Sequence, residues 1–394
     1  MQANAFKLAL IGNPIQHSLS PQIWQYFAVK YNINLKYDKI LVNNTNECYS
    51  ILDNLFAQGF YAINITSPYK NIVYDYSKER SRVVEYCKSG NLLYNKYLFD
   101  AVYRDNITNT NSINLNLHKV NHIVANSTDG PGLVNDFYNK KINLNNKRIL
   151  ILGSGYVVEN ILFTLSAYNL SQIDIYARNN TRIQYIDKHF KLMFLNLNTQ
   201  FNCILQNPQN ININNYDIII NTIPANAINA ELFSFNNNDN NNISGNISGN
   251  IFSIFKQLDN SSKLIIYDMN YSNPFNNTKN YDTLLLKYIK FLLFHANSNN
   301  IYYDNKDTNT MDILKKQVLV YDGFGMLFEQ AQIAFSKLFN IIYVSCYSLS
   351  NYVIELSLFI FMGDDLGTAF FEIFCWIWRK DVIGLSISLW RSGG

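Results

Sequence analysis

The chain has 394 residues, 48% of them hydrophobic and 15% charged, with a formal net charge of +3. That is room for two cores of ordinary size, and it excludes the basic excess of a nucleic-acid binder. Five cysteines without C-x-x-C spacing suggest neither a disulfide framework nor a zinc site, and His118 and His122, though four apart, fall in an asparagine-rich loop rather than on a metal-binding helix. Reduced thiols predict a cytoplasmic chain. The first residues lack the charged lead and apolar stretch of a secretory signal.

The opening run Leu8-Ala-Leu-Ile-Gly12-Asn-Pro14-Ile-Gln-His17-Ser18-Leu-Ser20-Pro21 reads as a buried strand over 6–11, a tight turn and a helix over 23–31. Ser20 is its expected cap and Pro21 its first residue. Ser18 and Ser20 flank a helix N-terminus that favours anions, although Ser-x-Ser-Pro also serves as a plain cap. A strand over 35–42, a helix over 48–58 and a strand over 61–65 follow. The last ends in Asn64-Ile-Thr66-Ser-Pro68-Tyr-Lys70. Pro68 stops a regular ladder and places Lys70 on a strand-to-helix loop, where either a solvated lysine or proton chemistry fits. Asn126-Ser127-Thr128-Asp129-Gly130-Pro131-Gly132 is a turn whose carboxylate either serves the turn or faces Lys70.

Lys147-Arg-Ile-Leu-Ile-Leu-Gly153-Ser154-Gly155-Tyr-Val-Val158 is an apolar strand running into a glycine turn, with an apolar helix expected over 161–170. Gly153 permits the turn and Gly155 lets backbone approach a pyrophosphate, while Val158 at the third glycine position predicts a slightly displaced helix. The next strand, 172–176, ends without an acid for a ribose 2′-hydroxyl. Arg178 and Arg182 follow it. Two guanidinium groups there favour a 2′-phosphate, hence NADP over NAD; an exposed i,i+4 pair is the alternative. Later strands are expected over 217–221, 263–268 and 317–321.

The predicted fold class is α/β with two domains. Residues 1–128 form an α/β substrate domain with a mostly parallel sheet, completed by a helix within 323–340, and residues 129–322 form a Rossmann-type dinucleotide-binding domain. The asparagine-rich stretches 106–116 and 236–250 read as polar insertions. Residues 341–394 are an atypical tail holding Trp376, Trp378 and Trp390. It reads as a frameshifted or fused terminus or a packing helix rather than an anchor, since Glu355, Asp364, Asp365 and Glu372 interrupt it.

In this order, from residue 6 to residue 340, the motifs resemble the shikimate dehydrogenase family, whose NADP-dependent members reduce 3-dehydroshikimate to shikimate. Tyr267-Asp268-Met269-Asn270-Tyr271 with Pro274, and Asp322-Gly323-Phe-Gly325-Met326-Leu-Phe-Glu-Gln330, belong to the same series. The resemblance implies that Ser18 and Ser20 hold a substrate carboxylate, with Thr66, Asn91, Tyr271 and Gln330 adding hydrogen bonds. It implies Lys70 and Asp129 as the catalytic pair, and Gly153, Ser154, Gly155, Arg178, Arg182 and Gly323 as the NADP contacts. It further implies a small-molecule substrate, neither nucleic acid nor membrane as partner, and a monomer or homodimer.

The chain departs from the family pattern around Asn91, at Ser127, at Ala177, and at Tyr156 and Val158 in the glycine turn. Ser127 is expected to cap its turn, and Tyr156 to lean either over the pyrophosphate or away from it. Two alternatives stay open: a quinate/shikimate dehydrogenase with relaxed cofactor use, and a decayed non-catalytic member.

The chemistry sets its own requirement. Hydride arriving at a ketone carbon builds charge on the oxygen, so a positioned donor must stabilise that oxygen and then yield a proton. Lys70 is the expected acid, with Asp129 orienting it and binding a substrate hydroxyl. Burial and the carboxylate act on such an ammonium in opposite directions, and the sequence leaves the balance open.

Overall fold

The computed structural model describes residues 5–105, 122–204, 211–225, 251–258, 263–272, 283–295, 301–303 and 318–341. The insertions expected at 106–116 and 236–250, the tail from 342 onward, His118 and Pro274 lie outside these.

The first part of the chain alternates strand and helix. In order come β1 (Phe6–Gly12), α1 (Ser20–Lys30), β2 (Leu35–Leu41), α2 (Thr45–Ala57), β3 (Phe60–Ile65) and α3 (Ile72–Tyr76). Then follow β4 (Glu79–Arg80), α4 (Arg82–Cys87), β5 (Leu92–Asn95), α5 (Lys96–Asp105) and β6 (Ile123–Asn126). They build a six-stranded sheet in the order β2-β1-β3-β5-β6-β4. β1 pairs in parallel with β2 and β3, and β4 with β6, whereas β5 runs antiparallel to both β3 and β6. Short β4, β5 and β6 carry no strong alternation, and the sequence reading did not resolve them.

α6 (Asp129–Asn139) leads into the second part. There β7 (Arg148–Leu152), α7 (Tyr156–Leu165), β8 (Gln172–Tyr176), α8 (Asn180–Asn196), β9 (Gln200–Ile204) and β10 (Ile218–Asn221) are followed by β11 (Leu264–Asp268), α9 (Leu284–His295), β12 (Ile301–Tyr303), β13 (Val318–Tyr321) and α10 (Phe324–Leu338). The strands form a seven-stranded parallel sheet, ordered β12-β13-β11-β10-β7-β8-β9. Ile149 to Leu152 are fully buried, as a central strand with helices on both faces requires. Strand order reverses between β7 and β10, and the crevice at the carboxyl ends there is where such sheets place ligands.

The C-terminal half of α10 packs on the first sheet. Ala334, Phe335 and Leu338 share a core with Phe6, Trp24 and Tyr61, and the Tyr61 hydroxyl donates to the Leu338 carbonyl at 2.5 Å.

Three local expectations are corrected. α1 begins at Ser20 instead of being capped by it: Leu19 holds the cap position, Pro21 is the second helical residue, and Ser18 Oγ accepts from the Ser20 amide at 3.3 Å. α7 starts at Tyr156, directly after Gly155, and ends at Leu165. Its first turns carry Glu159 and Asn160, polar residues that hid a helix expected only from the apolar run. Ser127 caps nothing; its buried Oγ has no hydrogen-bond partner among the described residues.

Asparagine has structural work in this chain. Asn44 and Asn179 accept from the third backbone amide along to start α2 and α8. Four of the six described non-glycine residues with left-handed φ are asparagines: Asn32, Asn146, Asn198 and Asn340.

Candidate active site

Two loops and one helix start bring Lys70 and Asp129 together. Lys70 follows β3 at the carboxyl edge of the first sheet, its carbonyl accepting from Gly90 N at 3.0 Å. Asp129 is the first residue of α6, where a carboxylate suits the helix dipole. Lys70 Nζ lies 2.7 Å from Asp129 Oδ2, with side chains 12% and 2% exposed. The other carboxylate oxygen accepts from Asn91 Nδ2 and from Gln330 Nε2, both at 3.1 Å. Asn91 is fixed in turn, since its Oδ1 accepts from the Thr128 amide at 2.9 Å. A buried carboxylate is thus fully satisfied by an ammonium and two amides, and the amine is held in one place.

Beside this pair opens a cavity of about 550 Å³. All eight residues singled out as substrate-binding or catalytic from sequence line it: Ser18, Ser20, Thr66, Lys70, Asn91, Asp129, Tyr271 and Gln330. Ser18 Oγ donates to Ser20 Oγ at 3.2 Å, and Tyr271 is hydrogen-bonded to Ser18, its phenol pushed up by burial. Gly12 permits this corner, because a Cβ there would sit 2.3 Å from Thr66 Cγ2. Gly323, expected at the cofactor, lines this cavity instead.

Trp24, Tyr37 and Asn64 were missed by sequence reasoning. Trp24 and Asn64 line the cavity, and the Tyr37 hydroxyl donates to Asn64 Oδ1 at 2.9 Å. Trp24 stands one turn after Ser20 on α1, a spacing that could have flagged it.

A second cavity of about 470 Å³ lies over the glycine turn. Gly153, Ser154, Gly155, Tyr156 and Arg178 border it, with Thr222 and Pro224 from the end of β10. Gly153 has φ +116°, and a Cβ there would come within 2.3 Å of Thr222 Oγ1, so only glycine fits. Nothing lies within 4 Å of a Cβ built at Gly155, which leaves backbone open to an approaching group at the start of α7. Tyr156 lines the cavity while its ring lies 4.8 Å from the Arg182 guanidinium. Arg178 precedes α8 and is exposed, whereas Arg182 is absent from the cavity wall and ion-paired with Glu159. Of the two arginines, Arg178 is the one that borders this cavity. Lys70 alone, among the described residues, lines both cavities.

Asp322 directly follows β13 and accepts from the Phe324 amide at 3.1 Å. Burial pushes its carboxyl from 3.8 to about 6. A folded value above the unfolded one means that stability falls as pH rises from 3.8 to about 6 and that the full cost of the buried charge persists above this window. Asp322→Asn keeps an acceptor for the Phe324 amide and is expected to raise Tm by about 2–4 °C at pH 7.5 but little at pH 4. Thermal unfolding at the two pH values measures this; an equal shift at both contradicts it.

Fold and cavities define a two-sheet α/β protein with a Rossmann-type second sheet. The family described as shikimate dehydrogenase substrate binding domain matches residues 10–93. The chain is 32% identical over 183 residues to the shikimate dehydrogenase (NADP(+)) of Pelagibacter ubique, covering 46% of this chain and 59% of that one. It is 31% identical over 237 residues to that of Vesicomyosocius okutanii, covering 59% and 77%. Its fold is similar to the crystal structure of shikimate dehydrogenase from Aquifex aeolicus, with a TM-score of 0.58, 16% identity and coverage of 89% and 97%. The chain belongs to the shikimate dehydrogenase family of oxidoreductases. Among the described residues, no helix is long and apolar enough to cross a membrane.

Proposed function

We propose that the chain catalyses NADPH-dependent reduction of 3-dehydroshikimate to shikimate. One observation carries the reading: Lys70, held on Asp129, is the wall shared by a polar cavity and a glycine-turn cavity. A ketone in the first and a nicotinamide reaching in from the second would meet at that amine.

The residues present fit a dinucleotide. Gly153 to Gly155 leave an open cradle at a helix start, and exposed Arg178 stands at the rim. When bound, NADPH supplies the hydride. Lys70 donates to the ketone oxygen as charge grows there and delivers the proton. Asp129 orients the amine and accepts from a ring hydroxyl, with Asn91 and Gln330 bracing the carboxylate. Ser18, Ser20, Thr66 and Tyr271 offer hydroxyls to a substrate carboxylate.

The test is oxidation of NADPH or NADH by purified protein, with 3-dehydroshikimate or 3-dehydroquinate. Faster turnover of 3-dehydroshikimate with NADPH supports the proposal. Preference for 3-dehydroquinate would favour a quinate enzyme, and inactivity with both a non-catalytic member.

Gly155→Val gives a separate check. Gly155 has φ −68°, open to any L residue, so the fold should keep its Tm while the new side chain fills the cradle. NADPH binding, followed by fluorescence, is expected to weaken about tenfold or more. Unchanged binding would move the cofactor elsewhere.

A further inference from the structure

We infer that Arg182 is a strut of the glycine turn rather than a phosphate ligand, so that recognition of a cofactor 2′-phosphate rests on Arg178 alone, with buried Glu159 setting this division of labour. The inference rests on the dinucleotide reading above and deepens it.

Glu159 sits on the first turn of α7, directly after the glycine turn, with its side chain 1% exposed. Its Oε1 accepts from Arg182 Nη2, and its Oε2 has no hydrogen-bond partner among the described residues. Burial raises the carboxyl and Arg182 opposes that rise. Arg182 is the ion-pair partner of this carboxylate, and drawing it away would strand a buried charge.

A second nitrogen of the Arg182 guanidinium is also engaged. Nε donates to the Ser154 carbonyl at 3.1 Å. The guanidinium carbon lies 4.8 Å from the Tyr156 ring centre and 5.2 Å from that of Tyr185. One side chain thus fixes Ser154 and Tyr156, both of which line the second cavity. Such a strut acts on the pyrophosphate region whatever the ribose carries.

Arg178 differs on each count. It lies in the loop before α8, is exposed and lines the cavity beside Ser154, Ala177 and Asn179. No hydrogen bond or ion pair holds its guanidinium among the described residues. One free fork, not two, faces a 2′-phosphate, and the preference for NADP over NAD is correspondingly shallower.

The test uses adenosine fragments and requires no turnover. Binding of 2′,5′-ADP and of 5′-AMP to the purified full chain is measured by calorimetry for wild type, Arg178→Gln and the double variant Glu159→Gln/Arg182→Gln. The double variant keeps a neutral hydrogen-bonded pair and avoids leaving Glu159 charged and alone. Arg178→Gln should weaken 2′,5′-ADP about 10- to 100-fold and leave 5′-AMP within about threefold. The double variant should weaken both ligands alike, keeping their affinity ratio within about threefold. A selective loss of 2′,5′-ADP of tenfold or more in the double variant, or none in Arg178→Gln, overturns the inference while leaving the dinucleotide reading intact. Failure of wild type to bind either fragment overturns the dinucleotide reading itself, and this inference with it.

Discussion

Lys70→Ala is expected to lower kcat for NADPH-dependent reduction of 3-dehydroshikimate by about 10³-fold while changing KM for the ketone by less than about threefold. The asymmetry follows from what remains. Asn91 and Gln330 still donate to Asp129 at 3.1 Å, so the carboxylate keeps two partners and the polar cavity keeps its hydroxyls. What is lost is the Lys70 amine, which faces both cavities, and with it the group that meets charge developing on the ketone oxygen. Steady-state kinetics on the two proteins decide the matter. Turnover near that of wild type would remove Lys70 from the chemistry, whereas a rise in KM alone would make it only a substrate anchor.

Trp24→Ala is expected to destabilise the fold by about 3–5 kcal/mol. Trp24 is 1% exposed, stacks on Tyr37 at 5.4 Å and meets Phe335 at 5.6 Å. It therefore ties α1 to β2 and to α10. Removing the indole leaves a void among three elements that have few ways to close it. The denaturant midpoint should fall with little change in slope. A second effect follows from the helical spacing: Ser20 lies one turn before Trp24, which itself lines the cavity, so substrate KM should rise as well. A midpoint equal to that of wild type would show that the site collapses around the gap at no cost.

The strands with steady apolar runs were legible because burial on both faces leaves a continuous signal. β1, β7, β10, β11 and β13 fall within a residue or so of where they were expected. The glycine turn and Pro68 marked the two loops that matter. What was illegible depended on partners distant in sequence. Arg182 and Arg178 look equivalent in the chain, yet Glu159, on another helix, pairs with Arg182. The seat of Tyr37 is set by Asn64, and that of Gln330 by Asp129. The two-residue β4 exists through its pairing with β6, a long-range contact that no local pattern encodes.

The left-handed asparagines have a bearing on the composition of the chain. At Asn32, Asn146, Asn198 and Asn340 the backbone reverses at φ between 51° and 57°, a shape that glycine enters freely and most side chains resist. Asparagine tolerates it, and unlike glycine it adds little wandering to the denatured chain. A sequence drifting toward this one amide can therefore gather it at corners where the drift does least harm, and that leaves the few glycines for places such as the Gly153 turn, where no other residue fits.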